Sequence, residues 1–179
     1  WSAGQKGCLS SAITLSAYVP GRLRCAYLNG QLCLVGHMVN QTGPADELWQ
    51  WASNDLGATF DRVAVVDGSD RAYPDIVEHQ GKLVVSYISI AASTGSTRPP
   101  YVRIIGSAYE SLKDAQFYMA QLDADPMKWG TQSGGVFNNG EMSLWADEDG
   151  RLWIIGRDHA TGLNEIMTRT SSDGGYSWT

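Results

Sequence analysis

Two octads, SNDLGATF at 53–60 and SSDGGYSW at 171–178, share the pattern Ser-x-Asp-x-Gly-x-(Thr/Ser)-(Phe/Trp). No other stretch of the chain constrains the backbone so tightly. The Ser and Asp side chains can bond the amides of a tight turn, Gly takes a dihedral that other residues resist, and the closing aromatic packs beneath. Each octad ends a run with strand character, ELWQWAS in one case and NEIMTRTS in the other. Asp55 and Asp173 are therefore assigned to structure rather than to chemistry.

Strands come in pairs around turn signals: LRCAY and QLCLVG about Asn29-Gly30, DIVEH and KLVVSYI about Gly81, EMSLWA and RLWIIG about Asp149-Gly150. Each pair reads as a hairpin of half-buried strands. A polar loop and a further alternating strand follow each time, so the unit has at least three antiparallel strands. The closing aromatics Phe60 and Trp178 are 118 residues apart, twice 59, and 59 residues before Phe60 stands Trp1, followed by Ser2 as Trp178 is followed by Thr179. Asp114, in SLKDAQFY, lies 59 residues after Asp55 and is expected to mark a decayed octad. A repeat of this size predicts an all-β chain of β-propeller blades, each a four-stranded antiparallel sheet, with approximate bounds 9–66, 73–130 and 137–179. Three blades cannot close a ring, because the end blades would expose apolar faces. Either a longer polypeptide supplies the remaining blades or a second copy of the chain completes the ring. The start at Trp1, with no initiator Met and no signal segment, favours the longer polypeptide.

Composition agrees with this reading and narrows the partners. The 20 Gly, 7 Trp and 8 Tyr, with β-branched residues in short runs, suit an all-β chain. A formal net charge of -6 argues against a nucleic-acid or anionic-membrane partner, although a local basic pocket is compatible with it. No apolar run approaches the roughly 20 residues of a membrane-spanning helix. Cys8, Cys25 and Cys33 are odd in number and match no zinc or redox spacing. A two-residue turn at Asn29-Gly30 pairs Cys25 with Leu34 and Cys33 with Ala26, on opposite faces, so all three are read as small buried residues rather than as a disulfide. His37, His79 and His159 show no ligand spacing, and neither a catalytic metal nor another cofactor is expected.

In an antiparallel blade the octad turn and the first hairpin turn lie at one end. The loop entering the blade and the loop after its second strand lie at the other, where function is expected. Glu141 and Arg157 each stand eight residues from Asp149, opposite one another where the first two strands open. Such a pair is either a salt bridge on a strand end or a functional couple. Aligning the other hairpins on their turn Gly places Gly21 and His37, then Ala72 and Ile88, at the same positions. Arg22, His37, Asp70, Arg71, Tyr73 and Asp75 fall near this level and either line a central cavity or decorate solvated strand ends. The loop SIAASTGSTRPPY, 89–101, is a pocket rim or a connector. Trp49, Trp51, Trp145 and Trp153 could stack on sugars, but strand alternation assigns most of them to the core between blades.

The stretch NGEMSLWADEDGRLWIIGRDHATGLNEIMTRTSSDGGYSW, 139–178, resembles a blade of the sialidase family, in which an Asn-x-Glu start, a D-G-R-L turn, an Arg sixteen residues after the Glu and a terminal octad, the Asp box, occur in that order. The rest of the chain resembles that family only as generic Asp-box blades. The resemblance implies about three blades of a six-bladed propeller. It also implies that Glu141 is the base that polarises a Tyr nucleophile and that Arg157 is one of three arginines gripping the substrate carboxylate. A phenol of pKa near ~10 attacks poorly until a carboxylate withdraws its proton, and a neutral nucleophile avoids repulsion from an anionic sugar. The family's first Arg and acid Asp would fall before residue 1, and its third Arg and Tyr after residue 179. YVRIIG at 101–106 does not replace them.

The implied activity is therefore part of an exo-glycosidase that removes terminal sialic acid or a related acidic sugar from a glycan, in a secreted or cell-surface setting. Arg22, His37, Arg71, Tyr73 and Asp75 are the accompanying candidates for substrate binding. The competing reading is a non-catalytic propeller serving as a glycan-binding, adhesion or scaffold module.

Overall fold

Asn29 and Gly30 both take positive φ, 50° and 84°, and close a two-residue hairpin turn. That geometry matches the right-handed twist of the flanking strands, which is why the Asn-Gly pair sets the register so firmly. The computed structural model describes residues 18–42, 46–66, 71–89, 100–116, 143–158 and 165–178. The first hairpin joins β1 (Tyr18–Leu28) to β2 (Gln31–Asn40), with Cys25 opposite Leu34 and Ala26 opposite Cys33, the expected register. Then follow β3 (Glu47–Ser53), β4 (Asp61–Val66), β5 (Arg71–His79), β6 (Lys82–Ser89), β7 (Pro100–Ile105), β8 (Ser143–Ala146), β9 (Leu152–Asp158) and β10 (Glu165–Ser171). They form three antiparallel sheets in sequence order, β1 to β4, β5 to β7 and β8 to β10. The described residues contain strands and turns but no helix. The chain is all-β and built of propeller blades, as its sequence predicts.

Both octads fold as the side chains dictate. In the first, Ser53 donates to Asp55 Oδ1 at 2.7 Å and accepts from the Gly57 amide at 2.8 Å, while the Thr59 amide and hydroxyl donate to Asp55 at 2.8 and 2.6 Å. In the second, Ser171 and Asp173 repeat the pattern with the Gly175, Tyr176 and Ser177 amides and the Ser177 hydroxyl. Gly57 and Gly175 sit at φ 88° and 99°, conformations that a Cβ would strain. Leu32 opposite Ser53 and Leu152 opposite Ser171 place these turns at the same end as the first hairpin turns.

The donors also tune the acids. Hydrogen bonds from the Thr59 side chain and amide, with Ser53, hold the Asp55 carboxyl at about 2. At Asp173 burial pushes the carboxyl up, but Ser177, Ser171 and Tyr176 outweigh it and the group again sits at about 2. Both folded values lie below the ordinary 3.8. The stabilisation is therefore complete above pH ~4 and is lost as the pH falls toward ~2. Asp55→Asn and Asp173→Asn are expected to melt below the parent at pH 7 and together with it near pH 2. Melting curves that stay equally far apart across that range would contradict the assignment.

The middle blade departs from the even 59-residue spacing. Its third strand β7 ends at Ile105, which opposes Leu83 as Ser53 opposes Leu32. The turn that follows runs through Gly106, Ser107 and Glu110, with the Gly106 amide donating to Glu110 at 2.7 Å and the Tyr109 amide to Ser107 at 3.1 Å. The counterpart of the octad thus begins at 105 rather than around Asp114. The 118 residues therefore divide unequally, 52 from Ser53 to Ile105 and 66 from Ile105 to Ser171.

The core lies between blades. Cys33, Val35, Leu48 and Ala52 of the first sheet meet Leu83, Val85, Tyr87 and Ile105 of the second. Val84 and Val102, on the other face of the second sheet, meet Leu144, Leu152, Ile154 and Trp178 of the third. A sheet buried on both faces by its neighbours is the packing unit of a propeller. Trp49 and Trp51 are buried as expected, at 5% and 0% exposure. Trp145 departs from its expected core place at 54%, on the face of β8 turned away from the second blade. A fully buried polar side chain crosses the first interface: Gln50 donates to Ala108 O and Glu110 O at 2.9 and 2.8 Å and accepts from the Leu112 amide at 2.8 Å.

The cysteines separate by face. Cys33 is buried, and desolvation pushes its thiol up to about 12, whereas Cys25 is exposed, against the expectation that both are buried. Only a thiolate reacts readily. A thiol-labelling time course on the folded protein should therefore modify Cys25 in minutes and Cys33 only after denaturation; fast labelling of Cys33 would show that the first blade interface opens. Cys8 lies outside the described residues. Among the described residues no helix is long and apolar enough to cross a membrane.

Candidate functional site

A proline interrupts the first strand of each of the first two blades. Pro20 in β1 and Pro74 in β5 cannot donate to a ladder, and proline is tolerated in a sheet only at an edge or a bulge. Both positions are bulges: register shifts between Pro20 and Arg22, and between Ala72 and Asp75. The first shift places Arg22, rather than the aligned Gly21, opposite His37. The second turns Tyr73 to φ 54°, a left-handed conformation that is costly for an aromatic residue. The two bulges lie side by side, so that the Tyr73 and His37 rings are tilted together with centroids 5.6 Å apart.

Between them opens a cavity of about 480 Å³ lined by Gly21, Arg22, Arg24, His37, Val39 and Tyr73. It lies at the end of the blades opposite the octad turns, where the sequence places function. His37, 7% exposed, meets Asp46 Oδ2 through Nε2 at 2.8 Å, and the other Asp46 oxygen accepts from the Asn40 amide at 3.0 Å. This double anchorage fixes the imidazole, with Nδ1 turned toward Gly21. Arg24 Nε stands 3.6 Å from Asp75 Oδ1, and Asp75 Oδ2 accepts from the Leu144 amide at 3.0 Å, tying the second blade to the third. Arg22 Nε is buried without a hydrogen-bond partner. Among the described residues the walls carry two guanidiniums, one of them beside a carboxylate, together with an imidazole and an aromatic ring. Such a surface offers donors to an oxygen-rich or anionic ligand and a ring face for its carbon skeleton.

Of the sequence-predicted site residues, Arg22, His37 and Tyr73 come together in this cavity, and Asp75 stands behind it as a tether. Arg71 lies in β5 opposite Ser89 and Arg157 in β9 opposite Ile166, but their side chains are outside the described residues, as are Glu141, Asp70 and most of the 89–101 loop. Arg24, Val39 and Asp46 were not anticipated. Pro20 and Pro74, prolines inside strand-like runs, are the signal that could have located the bulges. Among the described residues no group of three or more His, Cys, Asp or Glu side chains is arranged to hold a metal ion.

No family model and no curated protein matches the chain in sequence. Solved structures do match it in fold. A family 117 glycoside hydrolase of the marine bacterium Zobellia galactanivorans superposes with TM-score 0.61 at 14% identity, over 91% of this chain and 55% of that one. The α-L-arabinanase of Penicillium chrysogenum, solved with arabinobiose, gives 0.62 at 17%, over 95% and 50%. The GH93 α-L-arabinofuranosidase of Fusarium graminearum, also solved with arabinobiose, gives 0.60 at 15%, over 92% and 49%. The chain thus spans about half the length of these proteins. At such identities the likeness is one of fold: the chain has the β-propeller architecture carried by glycoside hydrolases. These three are not sialidases, so the sialidase resemblance continues to rest on 139–178 alone.

Proposed function

We propose that this chain is part of a glycoside hydrolase propeller, sialidase-like in its third blade, that removes a terminal acidic sugar from a glycan. The observation that carries the reading is the cavity at the opening end of the first two blades, in which Arg22, Arg24, His37 and Tyr73 converge. The mechanism assigns Glu141 to polarise a Tyr hydroxyl supplied from outside these residues, and Arg157 to grip the substrate carboxylate. The remaining blades come from a longer polypeptide, and a secreted or cell-surface setting suits a glycan substrate. The structural likeness to arabinan-active enzymes makes neutral furanosides the natural competing substrates. Release of 4-methylumbelliferone from an α-sialoside by the full-length protein, with an α-L-arabinofuranoside assayed alongside, decides between them. Faster turnover of the sialoside is the expected result, and hydrolysis confined to the arabinofuranoside removes the acidic-sugar assignment.

A second reading, a non-catalytic glycan-binding module, is favoured by one feature. Among the described residues no carboxylate lines the cavity, whereas glycosidases ordinarily flank the scissile bond with two. Glycan binding by the full-length protein with no turnover of either substrate is the outcome that selects it.

A further inference from the structure

Gly21 takes no positive φ, so the backbone conformation does not call for glycine there. Space does. A Cβ at this position would stand 3.2 Å from His37 Nδ1 and 3.2 Å from Val39 Cγ2, closing the approach to the imidazole from the cavity. Because His37 Nε2 is engaged by Asp46, Nδ1 is the ring nitrogen left to meet a ligand from the cavity. Directly across the strand pair lies Arg22, whose Nε is buried with no partner. Arg22 also lines the cavity, where its charge favours an anionic ligand. Arg24 is engaged by a carboxylate instead, since Asp75 stands 3.6 Å from it.

We infer that the Gly21–Arg22–His37–Tyr73 cavity is a subsite for one anionic sugar unit, which it reads through a paired contact: an oxyanion accepts from Arg22 while a neighbouring hydroxyl meets His37 Nδ1. The Tyr73 ring, tilted against His37, supplies a face for the sugar's C–H surface. A cavity of about 480 Å³ has room for a pyranose bearing such a group. The oxyanion is a carboxylate or a sulfate ester; both offer the acceptor geometry that a guanidinium matches. The subsite rests on the reading of the chain as a glycan-handling propeller, but it involves neither Glu141 nor Arg157.

Calorimetric titration of the full-length protein with glucuronate, glucose 6-sulfate and methyl glucoside tests the inference. At least one anionic sugar is expected to bind 10-fold or more tightly than the neutral one, and the better of the two identifies the oxyanion. Arg22→Gln, which keeps a polar but uncharged side chain, is expected to remove that preference, and Gly21→Ala to weaken binding of the preferred sugar by 10-fold or more. The melting temperature of each variant checks that the blade remains folded. Equal binding of anionic and neutral sugars, an unchanged preference in Arg22→Gln, or no binding at all overturns the subsite. Sialoside turnover by the same preparations is scored separately. An anion preference without turnover leaves the subsite standing and the hydrolase reading fallen; turnover without the preference does the reverse.

Discussion

Replacing Gln50 by Leu is expected to destabilise the protein by about 3 kcal/mol, equivalent to roughly 6–12 °C in melting temperature for a chain of this size. Leu fills nearly the volume of Gln, so the packing of the first blade against the second is retained. Three backbone groups of the second blade, Ala108 O, Glu110 O and the Leu112 amide, lose their partners at once. Gln50 is fully buried, and an orphaned polar group in such a place costs about 1–3 kcal/mol. The total falls below three times the upper value because the Glu110 contact is only partly buried and water can reach it. Chemical denaturation of Gln50→Leu measures the loss, and hydrogen exchange at the Leu112 amide localises it. An unchanged denaturation midpoint would show that these bonds contribute nothing net.

The second large effect concerns chemistry. Under the proposed mechanism, Glu141→Ala leaves the Tyr nucleophile protonated and is expected to lower sialoside turnover by about 10²–10⁴-fold, the usual span for a general base. Arg157→Ala, which removes one grip on the carboxylate, is expected to raise KM more than it lowers kcat, since much of that contact is made before the transition state. Both variants should melt within a few degrees of the parent. Turnover unchanged in Glu141→Ala removes the mechanism even where hydrolysis is real. Loss of folding in that variant would instead point to a structural ion pair.

The site residues divide by how local their causes are. His37, Arg22 and Tyr73 could be selected from the sequence because alignment on the turn glycines gives their height along the strands. Their meeting could not be read there. It depends on two bulges, each a one-residue change in register, and on the packing of β1 against β5, which brings together residues 36 positions apart in sequence. Asp46 escaped notice for the same reason: its role is to hold His37, and only the closing of the β2–β3 loop brings the two to 2.8 Å. The extrapolated octad at Asp114 failed because an average period was carried across two intervals of unequal length, 52 and 66 residues from Ser53 to Ile105 and from Ile105 to Ser171.

Sequence alone determined the octad turns at 53–60 and 171–178, the hairpin register at Asn29-Gly30, the all-β class and the end of each blade at which to look. Those features are set by side chains bonding backbone within about five residues, and by glycines in conformations that other residues resist. Which polar residues converge and how Gln50 bolts one blade to the next were decided only by the tertiary structure. Contacts between blades join residues from 36 to 94 positions apart, and a single-residue bulge redirects them without altering any local pattern.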